Sequence, residues 1–103
     1  MPIRKIQLLG TLKQTGIRIA NITLLASGWE GDTTPYSQEV VIDGITPYSQ
    51  VDITPSSEQL NEFRDKDIAF VTENEDGVVT VFCIGQKPLN DHTMQVTITE
   101  VAV

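Results

Sequence analysis

His92 and Cys83 are the only histidine and the only cysteine of this chain, and they limit the chemistry it can do. A Ser-His-Asp relay needs a base beside a nucleophile held at a strained turn, and no G-x-S-x-G is present. His92 sits instead in a polar run, Leu89-Asn90-Asp91-His92-Thr93, with no nucleophile at a recognisable spacing. One Cys and one His cannot close a tetrahedral zinc site without two carboxylates. Glu73-Asn74-Glu75-Asp76 concentrates oxygen ligands, but the D-x-[DN]-x-[DN]-G loop with its distant Glu is missing. A hairpin tip at Asp76-Gly77 accounts for that run better. Gly28-Trp29-Glu30-Gly31 lacks the spacing of a phosphate-binding glycine loop. A carboxylate pair for glycoside cleavage is a property of the fold, and a domain of this size has little room for the cleft. These residues predict no enzyme, no metal site and no cofactor.

The remaining candidates are aromatic. Trp29 is the only tryptophan, and Tyr36 and Tyr48 sit in two copies of Thr-Pro-Tyr-Ser-Gln, at 34–38 and 46–50. Trp29 either caps one end of the core or stands exposed. Exposed, it would join Tyr36 and Tyr48 in a contact surface for a sugar ring or a protein partner. The repeat also has a structural reading, in which Pro fixes the start of a strand and Tyr covers a sheet edge. Two copies do not make a solenoid.

The elements that must position these residues are mostly strands. Residues 17–27 are rich in branched apolar side chains and read as one strand or two short ones. Residues 36–43 alternate, with Tyr36, Gln38, Val40 and Ile42 on one face, and Asp43-Gly44 turns the chain. A short strand at 50–54 ends at Pro55. Ser56 and Gln59 stand at capping-box spacing, which predicts a helix over 57–66 with Leu60 and Phe63 on its apolar side. Strands follow near 67–73, 78–84 and 94–101. Val78 to Ile84 is apolar on both faces except for Thr80, so it is expected to be buried on both. The expected core is Leu24, Val40, Ile42, Ile53, Leu60, Phe63, Phe70, Val81, Phe82, Val96 and Ile98. The sum is a mainly β antiparallel sandwich, Ig-like in general architecture, with six to seven strands and one short helix.

Length and composition agree with a single globular domain: 103 residues, 40% hydrophobic and 20% charged. No run of about 18 apolar residues offers a membrane span. Ile6 to Gly10 is too short an apolar block for a signal peptide. Fourteen acids against seven basic residues give a net charge of −7, which disfavours nucleic acid. The charge is lopsided. Arg4, Lys5, Lys13 and Arg18 lie within the first 29 residues, where there is no acid. The expected division is a basic segment at 1–16, an edge strand or flexible, and one sandwich domain at 17–103. The basic segment is expected to pack on an acidic edge of its own or a neighbouring chain.

One pattern carries a resemblance. It runs from Leu24-Leu25-Ala26-Ser27-Gly28-Trp29 through Pro35-Tyr36-Ser37-Gln38, Val40, Ile42, Gly44-Ile45-Thr46, Val51-Asp52-Ile53 and Pro55. It ends in Gly77-Val78-Val79-Thr80-Val81-Phe82-Cys83-Ile84 with Pro88, then Met94-Gln95-Val96-Thr97-Ile98. This resembles a small domain of tailed phages and prophages of gut bacteria, whose members carry a T-L-x-A-S-G-W strand end and a P-Y-T-Q-x-V-x-V strand. Tyr48-Ser49-Gln50 departs from the small polar residues usual after that turn. The resemblance implies a non-enzymatic virion protein of head-fibre, tail or baseplate type. Its partners would be other virion proteins or further copies of itself, and its location the virion or the bacterial cytoplasm. It implies no catalytic residue. The alternative reading is a carbohydrate- or surface-binding module using the three aromatics.

Overall fold

The computed structural model describes residues 13–102. β1 (Lys13–Leu24), β6 (His92–Ala102) and β3 (Gln50–Thr54) form one antiparallel sheet, in the order β1-β6-β3. β2 (Tyr36–Val41), β5 (Val78–Gly85) and β4 (Ile68–Glu75) form the second, in the order β2-β5-β4. The one α-helix among the described residues, α1 (Ser57–Asp65), links β3 to β4. The fold is a small β-sandwich, as the alternation and turn spacing predict. The expected division between residues 16 and 17 falls inside β1, and residues 1–12 lie outside the described residues.

Alternation decides what enters the core. On β1, Ile22 and Leu24 are buried, while Ile17 and Ile19 on the other face are exposed. On β6, Met94, Val96 and Ile98 point inward, opposite Ile22, Ala20 and Arg18 of β1. On β5, Val79, Val81 and Cys83 face them from the second sheet. Each such branched or aliphatic side chain contributes about 1.5–3 kcal/mol when fully buried. β5 is central in its sheet, but the expectation that it is buried on both faces is wrong. Phe82 is only half-buried and Ile84 is exposed, because one layer of structure covers the strand and the other face looks outward. Leu60 is also exposed rather than core, since Phe63 alone of the helix residues is buried.

Local chemistry sets the ends of the elements. β4 and β5 join through Asp76-Gly77, with Gly77 at φ +74°, the two-residue hairpin its dipeptide predicts. In α1 the Ser56 hydroxyl accepts from Gln59 N–H at 3.2 Å, and the Gln59 side chain accepts from Ser56 N–H at 2.9 Å. β1 stops at Leu24, earlier than the apolar run suggests, because a 3-10 turn at Ala26–Gly28 swings the chain inward. Gly28 permits this turn: a Cβ there would lie 2.7 Å from Gln38 Oε1. β6 begins at His92, two residues before the strand expected near 94–101.

Side chains close the two seams between the sheets. On one side the Gln38 amide pairs with the Leu25 backbone at 2.8 and 3.0 Å. On the other, Thr72 Oγ1 donates to Val51 C=O at 3.3 Å and Asn74 Nδ2 donates to Ser49 C=O. These bonds occupy backbone groups that an open sheet would leave unpaired.

Candidate functional site

The three aromatic candidates do not meet. Trp29 is 5% exposed and stacks on Phe70, with centroids 5.9 Å apart and planes 14° from parallel. Phe70 in turn meets Phe63 edge-on at 5.0 Å, and Phe63 meets the His92 ring at 5.0 Å. This aromatic row runs through the core from the 3-10 turn to α1. Trp29 is therefore a core residue, and its assignment to a contact surface is corrected. Its Nε1 is buried and makes no hydrogen bond among the described residues.

Tyr36 opens β2 opposite Cys83, half-buried against the core, with Lys87 Nζ 5.4 Å from its ring centroid. Tyr48 is 56% exposed in the turn before β3. That turn lies beside the β4–β5 hairpin, since Gly77 N–H donates to Ile45 C=O at 2.8 Å. Along β5, Val78 at that end and Cys83 at the other stand five positions apart, a span of roughly 17 Å. Tyr36 and Tyr48 thus sit at opposite ends of the sandwich.

The chemistry-bearing residues serve the fold. His92 is buried, and its Nε2 donates to Glu62 Oε2 at 2.9 Å, tying β6 to α1. That hydrogen bond holds the Glu62 carboxyl below its ordinary range, against the opposing effect of desolvation. The Cys83 thiol is buried, and burial pushes its pKa up to about 11, which suppresses the reactive thiolate. Among the described residues no group of three or more His, Cys, Asp or Glu side chains could hold a metal ion. No helix among them is long and apolar enough to cross a membrane.

Sequence reasoning missed a polar knot at the hairpin end. Arg18 points inward from β1, and its Nε donates to Glu100 Oε1 at 2.9 Å while its guanidinium also reaches the Asp43 carbonyl. Ser49 donates to Glu100 Oε2 at 3.1 Å. The Arg18 hydrogen bond is the main reason that the Glu100 carboxyl is held below its usual range. The available signal was parity: Arg18 shares the inward face of β1 with Ala20, Ile22 and Leu24, and a cation there needs a partner.

Two surfaces remain as candidates for binding. One is an open groove of about 390 Å³ between α1 and the sheet edges, lined by Ile53, Pro55, Leu60, Phe63 and Phe70, with Arg64 at its side. The other is the outer face of the β2-β5-β4 sheet. Register places Ser37, Phe82 and Val71 in one row, then Glu39, Thr80 and Glu73, then Val41, Val78 and Glu75, with Ile84 beside Ala69 beyond the first row. Val41 is 77% exposed, Val71 52% and Ile84 42%.

No family model matches this chain, and comparison with curated proteins and with solved structures finds no match.

Proposed function

We propose that this chain is a non-enzymatic structural module of a tailed-phage or prophage particle, a fibre, decoration or baseplate-associated domain that works through protein–protein contacts. The observation that carries the reading is where the motif residues fall. Gly28 and Gln38 form one seam, Trp29 fills the core, and Gly44 makes a left-handed turn at φ +83°. The shared pattern is thus one of architecture, which suits a scaffold whose surface varies with its partner. The outer face supplies a contiguous apolar area at Val71, Phe82 and Ile84, of the kind that marks interaction sites. The module would reside in the virion, or in the bacterial cytoplasm before assembly.

The carbohydrate reading is weaker, because the burial of Trp29 removes its main stacking platform and leaves Tyr48 alone. Two experiments separate the readings. Mass spectrometry of purified particles from a strain carrying the gene should find the chain at a fixed ratio to the major capsid or tail protein. A glycan array should show no binding. Loss of the chain from washed particles, with hits on the array, would reverse the assignment.

A further inference from the structure

We propose that the outer face of the β2-β5-β4 sheet is the docking site for residues 1–12 of a second copy of this chain. The inference does not rest on the virion reading, because donor and acceptor are both parts of this sequence.

The acceptor is defined by register. Its apolar part is Val71, Phe82 and Ile84, which neighbour one another across β4 and β5. Beside it lie Glu39 and Glu73, flanking Thr80 in one row, and Glu75 in the next. All three glutamates are exposed, and no Lys or Arg stands on this face of the three strands. A partner that covers it must bring apolar side chains and positive charge together.

The N-terminal segment has that composition. Ile3-Arg4-Lys5-Ile6-Gln7-Leu8-Leu9 carries two cations, no acid and four large aliphatic residues. No other stretch of this length combines two cations and four large aliphatics without an acid. In an extended chain Arg4, Ile6 and Leu8 share one face, so Arg4 complements the glutamates while Ile6 and Leu8 match the apolar patch, and Lys5 adds charge alongside. Twelve residues reach up to ~40 Å, and the eight-residue strands of the face run ~27 Å, so the segment can cross it whole.

Geometry favours a neighbour over the same chain. β1 starts at Lys13 opposite Ala102, in the sheet on the far side of the core from this face. Donor and acceptor are different surfaces, so two copies either exchange segments reciprocally in a closed dimer or pass them from copy to copy in a ring or filament. Each contact is small, and multiplicity makes the assembly firm.

Sedimentation velocity of the full chain across concentration, at low and high salt, tests the proposal. The low-salt chain should self-associate, and high salt should weaken the association. Arg4→Glu with Lys5→Glu, or Glu73→Lys with Glu75→Lys, should each weaken it about tenfold at low salt. A 1:1 mixture of the two variants should restore it, since each donor then meets a complementary face. Val71→Gln, which leaves charge unchanged, should weaken it at both salt levels, and circular dichroism verifies the fold of every variant. A chain that stays monomeric at every concentration, an association that neither charge reversal changes, or a mixture that fails to recover overturns the proposal.

Discussion

Gln38 acts as a strand for Leu25: its side-chain carbonyl accepts from Leu25 N–H at 2.8 Å, and its amide donates to Leu25 C=O at 3.0 Å. The pair replaces a missing backbone ladder between β1 and β2. Gln38→Ala leaves both backbone groups of Leu25 unpaired and should cost about 2–4 kcal/mol. Gln38→Glu should be at least as damaging, because its second oxygen would face the Leu25 carbonyl. Urea melts give the comparison; a loss under about 0.5 kcal/mol for Gln38→Ala would mean that the seam is held by packing alone.

Gly85 and Asp67 approach too closely for any side chain between them. Gly85 sits at φ +104°, and a Cβ built there overlaps the Asp67 carbonyl oxygen, which is backbone and cannot rotate away. Asp67 itself holds φ +58° at the end of α1. Gly85→Ala should therefore cost about 3 kcal/mol or more. Gly77→Ala, at φ +74° with open space around the new Cβ, should cost only about 1–2 kcal/mol for the left-handed conformation. Equal losses from the two would show that conformation, not the clash, sets the penalty.

Trp29 provides an internal reporter. As the only tryptophan, buried at 5% exposure, it should emit at short wavelength in the folded chain and resist acrylamide quenching. Trp29→Ala should cost about 3–5 kcal/mol through the cavity it leaves against Phe70. Trp29→Phe should cost clearly less, because it keeps an aromatic face and removes a buried N–H without a partner. If the two variants lose the same stability, the stack on Phe70 contributes little.

The repeated pentapeptide marks where sequence reasoning stops. Alternation, the Asp-Gly turn at 76–77 and the Ser56–Gln59 box each predicted a local structure, and these are physical rules with short range. Both copies of Thr-Pro-Tyr-Ser-Gln were expected to lead into strands in the same way. The first does: Tyr36 opens β2 and Gln38 reaches the seam. The second also leads into a strand, since Gln50 opens β3, but its first four residues fold as a turn, with Ser49 N–H donating to Thr46 C=O at 3.1 Å and the Ser49 hydroxyl buried against Glu100. Identical residues diverge because Arg18 and Glu100 lie beside one copy only. The same limit explains Phe82. Its apolar character was legible, but whether a second layer covers it depends on how many sheets the whole chain forms. The candidate site was the least legible part, since Trp29, Tyr36 and Tyr48 share a residue type but not a place.

Acid should loosen this protein through two carboxyls that tie elements together. Glu62 accepts from His92 and lies 3.8 Å from Lys66, and Glu100 accepts from Arg18 and Ser49. Both carboxyls are held below the ordinary value of 4.5 in the folded chain, chiefly by the His92 and Arg18 hydrogen bonds respectively. A carboxyl with a lowered folded-state pKa favours the folded chain wherever it is ionised in both states. Its contribution is complete above the unfolded value, near 4.5, and is lost as pH falls through the lower folded value. These two groups should therefore leave the urea midpoint flat from neutrality to about pH 5, then lower it steadily below about pH 4.5. In Glu62→Gln with Glu100→Gln there is no carboxyl left to protonate at either place. The double variant should start less stable than the parent at neutral pH and show a shallower acid limb, so that the two curves converge at low pH. Parallel curves across the whole range would mean that the other twelve acids, through net charge, set the acid sensitivity instead.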